Sequence, residues 1–155
     1  MTHAIQNALQ KAIDYAKTYQ LTNIEVEAVL KAVLEEPDSL FKSVLERANI
    51  NIEELERALD NKLKSYPTMK GDQVQYGQYI SPQTNQLFTT AENYMKTYDD
   101  QFISMEHILL AAIDIDETMK RFVEHKKEVI VEIIKKIRGG NHVTTQNPED
   151  YEALS

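Results

Sequence analysis

Two Glu-His pairs, Glu106-His107 and Glu124-His125, are the residues of this 155-residue chain whose types could ligate a metal or move a proton. Their spacing argues against both. Adjacent helical residues point about 100° apart, so neighbours chelate badly. Neither HExxH nor the Glu-x-x-His of di-iron bundles occurs. His3 and His142 stand alone, and no GxSxG elbow offers a nucleophile. The chain has no cysteine, hence no disulfide and no thiolate metal site, which fits a reducing, cytoplasmic compartment. Loops of the GxxxxGK[ST] or GxGxxG type are missing from the sequence, so the chain is expected to turn over no nucleotide and to carry no cofactor. Binding rather than catalysis is therefore the expectation, with a free-standing helical enzyme as the disfavoured alternative.

The bulk numbers narrow what could be bound. A net charge of −8 repels phosphate backbones and makes nucleic acid a poor partner. No run of about 18 apolar residues exists, so no membrane span is expected. The opening "MTHAIQNALQKAI" lacks the basic segment and apolar core of a secretory signal. With 42% hydrophobic and 27% charged residues the chain fits one globular domain. Four glycines and four prolines leave few turns, a helical composition.

The elements follow from periodicity and caps. Ile5, Leu9, Ala12, Ile13 and Ala16 make one helical stripe, and Val26, Val29, Leu30, Val33 and Leu34 the next, ended by Pro37. Ser39 caps a short third helix, and Asn51 with Glu54 starts a fourth through Leu63. "YPTMKGDQVQYGQY" reads as a loop, placed at about 67–80. Ser81-Pro82 then opens a fifth helix to about Tyr98. A sixth starts near Ser104, a seventh holds Met119, Phe122 and Val123, and an eighth ends at Gly139-Gly140. The remainder, 141–155, has no apolar stripe and is expected to be a poorly ordered linker.

These eight helices are two sets of four. "YAKTYQLTNIEVEAVLKAVL" from Tyr15 returns as "YMKTYDDQFISMEHILLAAI" from Tyr94, a step of 79 residues. Tyr15, Lys17, Thr18, Tyr19, Ile24, Glu27, Leu30 and Ala32 all recur at that step, which falls to 78 after Ile113. Identities that keep register through loops as well as helices argue for duplication. Two copies are too few for a solenoid, so the expectation is an all-α globule of two pseudo-twofold-related four-helix repeats, about 2–66 and 81–138, within a domain 1–140.

The second copy, "ISMEHILLAAI", resembles the I-x-x-E-H-L-L-L-A-L signature of the Clp amino-terminal domain, a double four-helix repeat at the front of ring-forming Clp ATPases. The resemblance runs from Thr2 to Arg138. "RGGNHVTTQNPEDYEALS" is similar to the segment joining this domain to the first ATPase module in the ClpB-type disaggregases. The first copy departs from the signature, with Ala28 in the place of His107.

The resemblance implies a substrate-engagement module of an ATP-dependent disaggregase, binding unfolded or aggregated polypeptide in a hydrophobic groove between the halves. It implies that ATP and Mg belong to the longer protein, a hexameric ring working with a DnaK-type chaperone, while the isolated domain is a monomer. Family groove positions match Thr2, Asp100 and Glu106, with Phe88 and His107 as apolar lining. Structural roles compete: Thr2 as an N-cap, Glu106 at a helix start favoured by the dipole. Asp100, in a loop, is expected to do less structurally. The alternative is a ClpC-type module docking adaptors or phosphoarginine. There a hydroxyl precedes the signature glutamate, whereas Val26 and Met105 precede Glu27 and Glu106 here. Tyr15 and Tyr94 are expected to be packing residues.

Overall fold

Capping decides where the helices begin. In the computed structural model, which describes residues 1–146 of the chain, the side chain of Thr2 accepts from the Ile5 amide and opens α1 (His3–Thr18). After a two-residue strand β1 (Asn23–Ile24) come α2 (Val26–Glu35), α3 (Leu40–Arg47) capped by Ser39, and α4 (Ile52–Ser65) capped by Asn51. Strand β2 (Tyr79–Ile80) leads to α5 (Pro82–Thr97), with Ser81 as cap and Pro82 in the first turn. Then follow α6 (Met105–Ile115), α7 (Glu117–Val123) and α8 (Lys127–Arg138), which stops at Gly139 with φ of +57°. The expected all-α architecture is what the chain adopts. The stretch 147–155, within the expected linker, lies outside the described residues.

Reciprocal hydrogen bonds reveal the relation between the halves. The Thr2 amide donates to the Ile103 carbonyl at 2.9 Å, and the Ser81 amide, at the equivalent position, donates to the Ile24 carbonyl at 3.2 Å. Each half anchors its first helix on the other's loop, as a twofold relation requires. The ends of α1 and α5 also match. Gln20 (φ +59°) and Asp99 (φ +56°) both turn left-handed, and the Leu21 and Asp100 amides return to the Ala16 and Met95 carbonyls at 2.8 and 2.9 Å. Both ends are Schellman motifs.

The two signature helices form the centre. α6 buries every residue from Met105 to Ile113, and α2 buries eight of its ten. Helices apolar all round must be enclosed. α1 covers α2 and α5 covers α6, while α3 packs on α6 and α8 and α4 on α7, so the halves share one core. The parallel β1–β2 pair, Asn23 with Tyr79 and Ile24 with Ile80, has no counterpart in the sequence reading, because two residues carry no periodicity. The loop leading into it lies on α1. At Gly77 (φ +66°) a Cβ would stand 3.2 Å from the Ile13 carbonyl oxygen, so any other residue there would be strained.

Candidate functional site

Asp100 occupies the position just past the left-handed residue of the α5 Schellman motif, where an apolar contact normally closes the turn. The first repeat obeys that rule with Leu21, which is buried. A carboxylate in the same place must be matched. Arg138, in the last turn of α8, supplies a two-pronged pair: Nη1 to Oδ2 at 2.7 Å and Nη2 to Oδ1 at 2.6 Å. The Val143 amide adds a bond to Oδ1 at 2.8 Å. Burial alone would raise the Asp100 pKa, but the guanidinium, that amide and the His107 ring together hold it below the ordinary aspartate range. The guanidinium also lies 5.0 Å from the centre of the Tyr98 ring, which roofs the pair.

His107 is the third residue of α6, where a capping box usually places Glu or Gln. Its Nδ1 accepts from the Ser104 amide at 2.9 Å, and its Nε2 lies 2.6 Å from Asp100 Oδ2. A backbone N–H can only donate, so Nδ1 holds a lone pair and Nε2 carries the proton toward Asp100. The ring is a neutral, fixed tautomer. Enclosure pushes its pKa down against the pull of Asp100, in keeping with that form. Glu106 accepts from the Ser104 hydroxyl, and its Oε2 is 3.7 Å from Arg138 Nη1.

Four of the five residues singled out in sequence thus meet at one place. Thr2 joins them through Ile103, adjacent to Ser104. Phe88 does not: it sits nearer the start of α5, half-buried against the core. The expectation for Asp100 needs correction, because its side chain is fully enclosed and heavily bonded rather than a lightly used loop group. Thr2, Glu106 and His107 are likewise at most 1% exposed. In this arrangement their polar atoms face one another and the surrounding backbone rather than solvent. Sequence reasoning missed Arg138 as a member. The signal was available, since a charge standing where the sibling repeat has leucine demands a counter-charge.

The stretch read as the start of a linker is also different. Val143 is fully buried, its carbonyl accepts from the Gln101 amide at 2.7 Å, and the Gln146 carbonyl accepts from His3 at 3.0 Å. Arg138 Nη2 reaches the Asn141 carbonyl at 3.0 Å. An open cavity of about 190 Å³ lies beside this segment, lined by Tyr98, Lys135, Arg138 and residues 139–142. The repeated tyrosines do more than pack: Tyr15 donates to Glu35 and Tyr94 to Asp114, each at 2.5 Å. Among the described residues there is no cluster of ligands suited to a metal ion, and no helix is long and apolar enough to cross a membrane.

Comparison with known proteins gives consistent matches. The family model described as the Clp repeat (R) N-terminal domain matches residues 1–126. The chain is 66% identical over 155 residues to the chaperone protein ClpB of Staphylococcus epidermidis, and 58% identical over 156 residues to that of Staphylococcus aureus. These alignments cover 99% and 100% of the chain but only 18% of either relative. Among solved structures, the Hsp104 N-terminal domain from Candida albicans superposes with a TM-score of 0.76 at 20% identity, covering 96% of this chain and 98% of that one. The N-terminal domain of ClpD from Arabidopsis thaliana gives 0.61 at 18% identity, covering 90% and 95%. Likeness at that identity concerns the fold.

Proposed function

The chain belongs to the Clp repeat N-terminal domain family, and from that membership we propose that it is the substrate-engagement module of a ClpB-type disaggregase. It binds exposed apolar segments of unfolded or aggregated polypeptide and passes them to an ATPase ring. What carries the reading is the 66% and 58% identity, over the length of this chain, with chaperone ClpB sequences of which it spans 18%. The isolated domain is then a cytoplasmic monomer without a cofactor of its own. The longer protein is a hexameric, ATP- and Mg-dependent ring cooperating with a DnaK-type chaperone.

The ClpC-type alternative gains nothing from the geometry. Val26 and Met105, which precede the two signature glutamates, are buried apolar residues and offer no hydroxyl to a phosphate. The net charge of −8 adds repulsion.

Client segments lose conformational entropy on docking, so the expected dissociation constant is on the order of 10 to 1,000 μM. The test offers one client protein in its folded form and in a form kept unfolded by reduction and alkylation, beside an adaptor and an arginine-phosphorylated peptide. Saturable binding of the unfolded form alone is expected. Preference for the phosphorylated peptide or the adaptor would move the assignment to the ClpC type, and indifference to unfolding would remove it.

A further inference from the structure

The geometry points to residues 141–146 as a built-in occupant of the client-binding slot: we propose that an unfolded segment carrying a small apolar residue binds by taking the place of Val143. The inference rests on the polypeptide-engagement reading above and names the site that reading requires.

The segment is held as a non-helical polypeptide would be held. Its one fully enclosed side chain is that of Val143. The same residue's amide donates to the Asp100 carboxylate at 2.8 Å, and its carbonyl accepts from the Gln101 amide at 2.7 Å. Further grips are also on backbone carbonyls, Asn141 from Arg138 at 3.0 Å and Gln146 from the His3 amide at 3.0 Å. Most of these contacts read main chain, which every client possesses, and one apolar side chain. The His142 ring on the Tyr98 carbonyl at 3.0 Å and the Gln146 side chain on His3 at 2.9 Å belong to this segment alone. Reading main chain is the recognition a promiscuous binder needs. The cavity of about 190 Å³ between the segment and Tyr98 leaves room for a neighbouring client side chain.

Asp100 acquires a clear task. Arg138 and His107 fix both of its oxygens, so that Oδ1 faces whichever amide fills the slot. Proline cannot serve at the central position, because it has no N–H to offer Asp100.

An occupied slot lowers apparent affinity by the fraction of time that it stands open, so a segment docked about nine-tenths of the time masks affinity about tenfold. Two changes move that fraction in opposite directions. Val143→Ser weakens the internal occupant. A His3→Cys, Gln146→Cys pair, made where those side chains meet in a chain without other cysteines, locks it when oxidised. Binding of a reduced and alkylated unfolded client is titrated against each version, with folding checked by circular dichroism. Val143→Ser is expected to tighten binding about tenfold. The oxidised pair is expected to weaken it at least as much, with recovery on adding reductant. The free peptide Asn-His-Val-Thr-Thr-Gln should compete for the Val143→Ser protein, whereas its Val-to-Pro analogue should not. Equal client binding by all versions would overturn this inference and leave the engagement reading standing. If no version binds the client, the released one included, both fall.

Discussion

Replacing Asp100 by Asn is the sharpest test of the buried network. The substitution keeps the shape of the side chain and removes one charge. Arg138, which stays ionised at any accessible pH, then remains enclosed with its two-pronged partner lost and the more distant Glu106 carboxylate, at 3.7 Å, as a remaining counter-charge. Breaking one side of a buried pair costs about 3–5 kcal/mol, most of it the penalty on the charge left behind. In a domain of this size each kcal/mol lowers Tm by about 2–4 °C, so a fall on the order of 10 °C is expected. The companion is Asp100→Leu with Arg138→Met, which restores the apolar closure that Leu21 gives the first repeat. That double variant should recover most of the loss, because well-packed apolar pairs commonly match or exceed buried ion pairs. Urea denaturation of the parent chain, Asp100→Leu, Arg138→Met and the double variant yields the coupling energy, expected above about 1.5 kcal/mol. A cost for Asp100→Asn below about 0.5 kcal/mol, or strict additivity of the two sites, would refute the reasoning.

Other consequences are as direct. His107 should show the neutral Nε2–H tautomer in long-range ¹H–¹⁵N spectra and keep it below pH 6.5. With its folded pKa depressed below the unfolded value of about 6.5, its stabilising effect is complete above that pH. It is lost as pH falls from about 6.5 through the folded value, and Asp100, also depressed, adds a loss further into acid. A protonated imidazole at pH 6.5 would contradict the assigned hydrogen bonds. Tyr66→Phe removes the hydroxyl that donates to the buried Glu27 at 2.9 Å and should cost about 1.5–3 kcal/mol in urea denaturation, as for other bonds to charged groups. Added Mg-ATP should produce no saturable rise in Tm, since the sequence holds no phosphate-cradling loop.

The fold was legible because the chain states it twice. Tyr15 and Tyr94 set the register, Ser39, Asn51 and Ser81 mark helix starts, and Gly139 marks a stop, all through local chemistry that a reader can see. The site was legible in its residue types and not in its burial. Asp100 looks like any loop aspartate until its partner is known, and that partner lies 38 residues away on another helix. Only the comparison with Leu21 hints at the anomaly. Val143 was invisible for a different reason. A single apolar residue among polar neighbours makes no stripe, yet one residue suffices to dock a segment when its backbone finds Asp100 and Gln101. The β1–β2 pair escaped in the same way.

Engagement of unfolded polypeptide by this domain is tested most directly by a ¹H–¹⁵N titration of the 155-residue chain with a permanently unfolded client. The account predicts shifts that saturate at high micromolar client and cluster on residues 98–104, on 138–146 and at the start of α1, while α4 stays unmoved. Shifts confined to α4, or none with client at about 1 mM, would contradict it.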